Sequence, residues 1–184
     1  LVAARSTGRY LAGDMFRILH FILAIWLAAL PATAHAEIVA TFYSHDMKDN
    51  YFPHAFIHLK GIEDSTGKAI DTNYGFTAQK VSPAILLGSV LGMIETKDEN
   101  YVSKSDPHFS LKLSDGEYRQ LLAHVEKWRT MPGKSYSLNK QNCVHFVMEA
   151  AAILGLSVNR KSKFFKKPKT FLMEVMKLNP LLKL

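Results

Sequence analysis

The chain has 184 residues, of which 48% are hydrophobic and 21% charged, with a formal net charge of +7 and a single cysteine. This composition excludes a disordered chain, a collagen-like repeat and a protein with several membrane spans, and the length allows one domain of ordinary core size. One cysteine excludes an intramolecular disulfide framework and a cysteine-rich zinc module, so the lone thiol needs another explanation.

The first 36 residues have the pattern of a secretory signal peptide. A basic region precedes the apolar run FRILHFILAIWLAALP at 16–31, and Ala34-His35-Ala36 supplies the small-x-small ending that a signal peptidase prefers. We expect cleavage after Ala36 and export to the periplasm or the exterior; the alternative is an uncleaved segment that anchors the protein to the inner membrane. Met15 is the first methionine, so we expect residues 1–14 to be an over-extended start.

The first half of the remaining chain carries strand and turn patterns. Residues 37–45 are rich in β-branched and aromatic side chains and predict a strand. Alternation predicts a second strand over 54–61, which a turn at 64–68 joins to a third strand over 69–77. The apolar stretch 83–93 predicts a short helix, and alternation returns over 108–113 as a further strand.

Helical patterns dominate the second half. Ser114 and Glu117 form a Ser-x-x-Glu capping box, which predicts a helix from there to about Arg129 with the buried stripe Tyr118, Leu121, Leu122, Val125 and Trp128. A brief strand over 136–138 precedes a helix over 143–154 that ends at Gly155. Strands and segregated helices predict one α+β domain over 37–159, a small antiparallel sheet packed against helices.

The positive charge of the chain is concentrated near its C-terminus. The first 36 residues hold three arginines and one aspartate, so the remainder carries +5. Residues 160–184 hold eight lysines or arginines and one glutamate, a net of +7, which leaves the body at −2. We expect this tail to form a short amphipathic helix that either contacts an anionic membrane or wall polymer, or docks on the body with a solvated basic face. An exported protein makes nucleic acid an improbable partner.

The lone cysteine lies in the most informative stretch, Asn142-Cys143-Val144-His145-Phe146. Asn142 is a good helix N-cap, which places Cys143 in the first helical turn, where amide donors and the helix dipole stabilise a thiolate. The same residues also fit an inert core cysteine, because Cys143, Phe146, Val147, Ala150 and Leu154 share one helix face.

A nucleophilic cysteine needs a base within hydrogen-bond reach. His145 points about 200° away from Cys143 on a helix, so we exclude it and expect an exposed pair with Glu149. His54 and His58 share one strand face about 13 Å apart, so only one of them can meet the thiol and the two cannot jointly bind a metal. We expect the other histidines, His45, His108 and His124, to be solvent-facing or structural. No pattern indicates a metal or cofactor.

A family resemblance enters with HAFIHLKG at 54–61 and NCVHFV at 142–147. Their order and spacing resemble the circularly permuted papain-like enzymes, relatives of the NlpC-type cell-wall cysteine peptidases that include the lecithin retinol acyltransferase group. The resemblance covers roughly residues 43–156, and only these two short motifs are specific. It implies a permuted papain-like core.

The resemblance implies Cys143 as nucleophile and His54 as base, with His58 as the alternative base. The family's third polar residue lies on the next strand and orients the histidine; here Asp71, Asn73 or Tyr74 would have to serve, and we choose Asn73. The Cys143 amide, with the Gln141 or Asn142 side chain, would steady the oxyanion. A thiolate–imidazolium pair would form and attack an acyl carbon.

These features predict an exported cysteine hydrolase that cuts a peptide or acyl amide bond, with a peptidoglycan peptide as the first candidate substrate. The alternatives are a lipid acyl hydrolase or acyltransferase of the same fold and a non-catalytic envelope module that binds a ligand or partner. A toxin-like protein or adaptor delivered elsewhere fits the signal segment less well.

Overall fold

A computed structural model describes residues 37–47 and 52–182 of the chain. The predicted signal peptide and its cleavage site lie outside these residues. Among the described residues, no helix is both long and apolar enough to cross a membrane.

Five strands and five helices are described in this part of the chain. The strands are β1 (Ile38–His45), β2 (His54–Ile62), β3 (Ala69–Ala78), β4 (Gly92–Glu95) and β5 (Asp106–Leu113). The helices are α1 (Ala84–Leu87), α2 (Glu99–Ser103), α3 (Asp115–Arg129), α4 (Cys143–Ile153) and α5 (Pro168–Leu178).

The described strands form one open antiparallel sheet in the order β4-β3-β2-β1-β5. Together with the helices it makes an α+β fold, as the sequence predicts. The first three strands lie where the sequence predicts them, and the β2–β3 register pairs Phe56 with Gly75 and His58 with Asn73. This register decides which β3 residues flank His54.

The first half of β2 is covered on both faces of the sheet. Ala55, Ile57 and Leu59 of β2 join the main core with residues of α3, α4 and α5. On the opposite face Phe56 is fully buried and stacks on Tyr43, with its ring 5.7 Å from that of Tyr101 in α2. Because strand side chains alternate between faces, β2 is buried along both sides of its first half.

The predicted capping box at the start of α3 is present in the structure. The Ser114 hydroxyl accepts from the Glu117 N–H, and the Glu117 carboxylate accepts from the Ser114 N–H, so α3 begins where the sequence predicts. Four of the five predicted stripe residues of α3 are buried: Tyr118, Leu121, Val125 and Trp128.

The prediction for residues 83–93 is largely wrong. Only Ala84–Leu87 is helical, and Gly92 already begins β4. The apolar residues of this stretch are not buried: Leu86 and Leu87 are 78% and 89% exposed. Periodicity in so short an apolar run cannot distinguish a helix packed on the body from a short helix followed by a strand. The sequence analysis also missed β4 and α2.

The C-terminal tail is part of the same compact unit as the body. Residues 37–47 and 52–182 belong to one compact unit. Phe171, Leu172 and Val175 of α5 are fully buried in the main core. Lys169 forms ion pairs with Asp46 and Asp106 at 3.4 and 2.8 Å. The change in composition at residue 160 therefore precedes a helix that belongs to the core and carries a charged outer surface. Of the two arrangements expected for the tail, the structure has the one in which it docks on the body.

Replacing Phe171 by alanine is expected to lower the free energy of unfolding by about 3–5 kcal/mol, because it leaves a cavity in the core. Met173→Ala, on the same helix but 55% exposed, is the matched control and should change it by less than about 0.5 kcal/mol. Urea unfolding of both variants measures this. Equal effects would show that α5 does not contribute to the core.

Candidate functional site

Asn142 holds the start of α4 in place. Its side-chain oxygen accepts from the backbone N–H groups of Val144 and His145, and its side-chain nitrogen donates to the carbonyls of Leu138 and Phe165, both at 2.8 Å. The residue is 3% exposed. Its amide is therefore used in building the site, and the oxyanion contact expected of this side chain has no free donor left to make it.

Cys143 opens α4 with a buried thiol. The side chain is 6% exposed, and backbone N–H groups of Ala55, Val144 and Cys143 itself approach the sulfur. Burial raises the pKa of the Cys143 thiol to about 11, and these three N–H groups oppose the rise. The helix start supplies anion-stabilising donors as expected, but the burial of the closed site outweighs them in the resting protein.

His54 opens β2 and lines the same cavity as Cys143. It is 8% exposed, and burial, followed by the nearby charges of Lys97 and His45, lowers the pKa of its imidazole to about 3. Within the part of the chain that the structure describes, its Nε2 atom is buried without a hydrogen-bond partner. An orphaned buried nitrogen is costly and is a feature that functional sites retain.

The space beside that nitrogen is set by Gly75. A Cβ atom at this position would lie 2.3 Å from His54 Nε2 and 3.2 Å from the Cβ atom of Phe56. No larger residue fits at the place on the next strand from which a third polar residue would contact the imidazole. A glycine inside a strand signals such a close approach, and the sequence analysis did not use that signal.

The residues expected to supply the third group have other partners. The Asn73 amide donates to the Lys97 carbonyl and accepts from the Lys97 N–H, both at 2.8 Å. Asp71 bonds His58 at 2.7 Å and Lys60 at 3.1 Å. The Asn73 side chain thus holds the backbone of Lys97, whose charge acts on His54, and no described hydrogen bond joins Asn73 to His54.

Burial favours the uncharged forms of both Cys143 and His54. With a raised thiol pKa and a lowered imidazole pKa, the proton stays on sulfur at neutral pH. The expected thiolate–imidazolium pair is therefore not the resting state, because desolvation disfavours both charges at once. His54 is free to act as a neutral base toward a proton that becomes acidic during reaction.

The cavity over Cys143 and His54 has a volume of about 850 Å³ and a mainly apolar lining. One ion pair stands in its wall, where Lys97 Nζ lies 2.7 Å from Glu95 and 4.9 Å from the Tyr101 ring centroid. Sequence reasoning missed both charged residues, since neither belongs to a motif. The apolar lining residues include Phe52, Val81, Leu86, Met93, Tyr136 and Phe165.

Two further residues near α4 depart from expectation. The Gln141 side chain donates to Met131 Sδ and does not line the cavity, so its predicted oxyanion role lacks support. His145 stacks on Phe165 at 4.2 Å and caps α4 with Asn142. Glu149, its expected partner, instead accepts hydrogen bonds from Trp128 and Lys127.

The remaining histidines are structural. His45 bonds Ser105, His108 bonds Ser44, and His124 bonds the Phe146 carbonyl. All three are buried. Residues 37–47 and 52–182 contain no group of three or more His, Cys, Asp or Glu side chains that could hold a metal ion.

Comparison with known proteins adds one likeness of fold. No family model matches the chain, and no curated protein matches it. The chain is similar to the crystal structure of TseH, a Type VI secretion system effector, with a TM-score of 0.50 and 14% sequence identity over 79% of this chain and 90% of that one. At that identity the similarity concerns the fold alone.

Acid is expected to destabilise the protein through its buried histidines. Burial lowers the pKa values of His54, His108, His124 and His145. Below about pH 6.5 the unfolded chain therefore binds more protons than the folded protein. The stability that the neutral histidines contribute is complete above that pH and is lost as the pH falls toward their folded pKa values. Urea unfolding from about pH 7 to about pH 4 measures the slope.

His54 alone should contribute up to about 1.4 kcal/mol per pH unit in that range. The His54→Gln variant should accordingly show a shallower loss of stability with acid than the wild type. Identical slopes for the two proteins would contradict the burial of a neutral imidazole at this position.

Gly75→Ala is expected to destabilise the protein by about 1–3 kcal/mol, because the added methyl group overlaps the His54 ring. Gly116→Ala is the matched control, since its Cβ would meet only the Ser114 hydroxyl at 3.8 Å. Denaturant unfolding of both variants measures the difference. A Gly75→Ala protein as stable as the control would show that the imidazole is not enclosed there.

Proposed function

We propose that the protein is an exported cysteine-dependent amidase or peptidase with a permuted papain-like core, acting on a peptide or acyl amide bond, with the cell wall as the first candidate target. The observation that carries the proposal is the joint burial of Cys143 and His54 in one cavity, with backbone donors at the sulfur and an unpartnered imidazole nitrogen. Packing alone does not require an inert core cysteine to share a cavity with a buried histidine.

Cys143 acts as the nucleophile and His54 as a neutral general base. As the sulfur attacks the carbonyl carbon, its proton passes to His54, and the C–S bond forms while the carbonyl oxygen takes negative charge. Backbone N–H groups at the start of α4 steady that charge. His54 then gives the proton to the departing nitrogen as the C–N bond breaks, and water hydrolyses the thioester with His54 again as base.

The dyad works without a third polar residue on β3 in this proposal. Gly75 and Phe56 confine the imidazole, and Asn73 acts indirectly by fixing Lys97. Lys97 disfavours a protonated His54 before substrate arrives. Asn142 and Gln141 shape the start of α4 rather than contact the reacting oxygen.

Export is compatible with the similarity to TseH, a Type VI secretion system effector. The apolar lining of the cavity favours a second candidate substrate, the acyl group of a lipid ester, for which the same two residues would serve. The raised thiol pKa favours the third reading, a non-catalytic binding module, because such a thiol is a poor resting nucleophile.

Incubation with purified peptidoglycan and, separately, with phospholipid vesicles, followed by mass spectrometry of the products, tests the activity. Cys143→Ala is expected to abolish product, and His54→Gln to lower its rate by about a hundredfold or more. His58→Gln is the matched control on the same strand and should keep most of the activity. Loss of activity in His58→Gln with retention in His54→Gln would assign the base to His58.

Thiol labelling separates the enzyme from the binding module. A small alkylating reagent that enters the cavity should label Cys143 in the folded protein slowly below neutrality and faster as the pH rises, and His54→Gln should slow it further. A thiol that reacts only after unfolding, with no product from either substrate, would overturn the enzymatic proposal.

A further inference from the structure

An apolar projection stands at the mouth of the cavity. Val81, Leu86 and Leu87 are 62%, 78% and 89% exposed, and Phe52 beside them is 62% exposed. Phe52, Val81 and Leu86 line the same cavity as Cys143, and we call them, with the adjacent Leu87, the apolar rim. Adjacent large side chains this exposed mark an interaction surface rather than the scattered apolar residues of an ordinary surface.

The base of this projection is pinned to the body. Gln79 N–H donates to the Leu91 carbonyl at 2.9 Å, and Val90 and Tyr136 exchange two backbone hydrogen bonds at 2.9 Å. The segment 80–90 therefore leaves and re-enters the fold at fixed points, with α1 between them. A surface held in this way loses little conformational freedom when it inserts into a partner.

Basic residues flank the apolar rim. Lys80 is exposed directly before Val81, and the exposed Lys166 of the C-terminal tail lines the cavity. Residues 79–94 contain no aspartate or glutamate. The apolar face of α5 is buried in the core and does not form the predicted amphipathic contact. Lys166 of the tail instead lines the cavity together with the apolar rim.

We propose that the apolar rim docks on the surface of a phospholipid bilayer that contains anionic headgroups, with Leu86 and Leu87 in the acyl boundary and Lys80 and Lys166 at the headgroups. An apolar centre with lysines at its edge matches the layering of a bilayer interface. The surface opens the cavity of Cys143 toward that interface. Docking goes beyond the proposed function, since it requires no reaction at Cys143.

A second copy of the chain fits this surface less well. Two copies joined through the same patch would bring the lysines of both rims together without an acidic partner in residues 79–94, and like charges across an interface are unfavourable. The rim is also formed by only four side chains, whereas a stable dimer buries about 800 Å² on each partner. A bilayer supplies acidic groups and needs no matched shape.

Co-sedimentation with vesicles tests the docking, using residues 37–184, which include every described element and the complete core. The vesicles are phosphatidylcholine alone, or equal parts phosphatidylcholine and phosphatidylglycerol. The double variant Leu86→Ser, Leu87→Ser is expected to bind the mixed vesicles more than about tenfold more weakly. Ile62→Ser, 46% exposed at the far end of β2, is the matched control and should bind as the wild type does.

The charge contribution is measured separately. Lys80→Gln and Lys166→Gln should each weaken binding to the mixed vesicles by about fivefold and leave binding to phosphatidylcholine alone unchanged. Lys68→Gln, in the exposed β2–β3 turn, is the control. In the Leu87→Trp variant, the fluorescence emission of the new tryptophan should shift to the blue on mixed vesicles. Trp128, the other tryptophan within residues 37–184, is 2% exposed, and its emission should not change.

Cys143→Ala is expected to bind vesicles normally, so a failed activity assay and a failed docking assay remain distinguishable. The proposal is overturned if the wild type does not sediment with mixed vesicles, if the serine double variant binds them as tightly as Ile62→Ser, or if Leu87→Trp keeps its emission. Concentration-dependent dimers that the serine variant abolishes, without vesicle binding, would assign the rim to a second copy instead.

Discussion

The Asn142 side chain is the contact on which the rest of the site depends. One amide accepts from two N–H groups at the start of α4 and donates to two carbonyls, one before the helix and one in the C-terminal segment. These hydrogen bonds join Leu138 and the start of α4 to Phe165 of the C-terminal segment. The position of Cys143 at the helix start and the docking of Phe165 depend on this residue, because a buried amide must satisfy its polar atoms.

Burial then determines the chemistry. The site that gathers a thiol, an imidazole and backbone donors also removes them from water, and desolvation moves the two pKa values apart. In the proposed reaction, the thiol and the imidazole would separate charge only when a substrate carbonyl and the amide donors can share it.

The tail and the 79–91 segment are placed opposite to what their compositions suggest, the basic tail in the core and the apolar segment at the surface. Lysine-rich residues 160–184 contribute a core helix, with Phe171 and Leu172 fully buried, whereas the apolar residues of 83–87 face outward at the cavity mouth. Hydrophobicity along the chain reports how much apolar surface a segment carries. Whether the body or an outside partner covers that surface depends on which face the connecting backbone turns inward.

Elements with a local cause are predictable from the sequence: β1 from its β-branched and aromatic residues, β2 from alternation, β3 from the turn before it, α3 from its capping box and α4 from Asn142. The candidacy of Cys143 and His54 comes from their motifs. Each of these depends on residues a few positions apart. Only the tertiary structure decided that Gly75 faces His54, that Asn73 holds Lys97, that Asn142 and Gln141 have structural partners, and that Glu95 and Lys97 stand in the cavity wall. Those facts follow from strand register and long-range packing, in which a shift of one residue turns every side chain to the other face of the sheet.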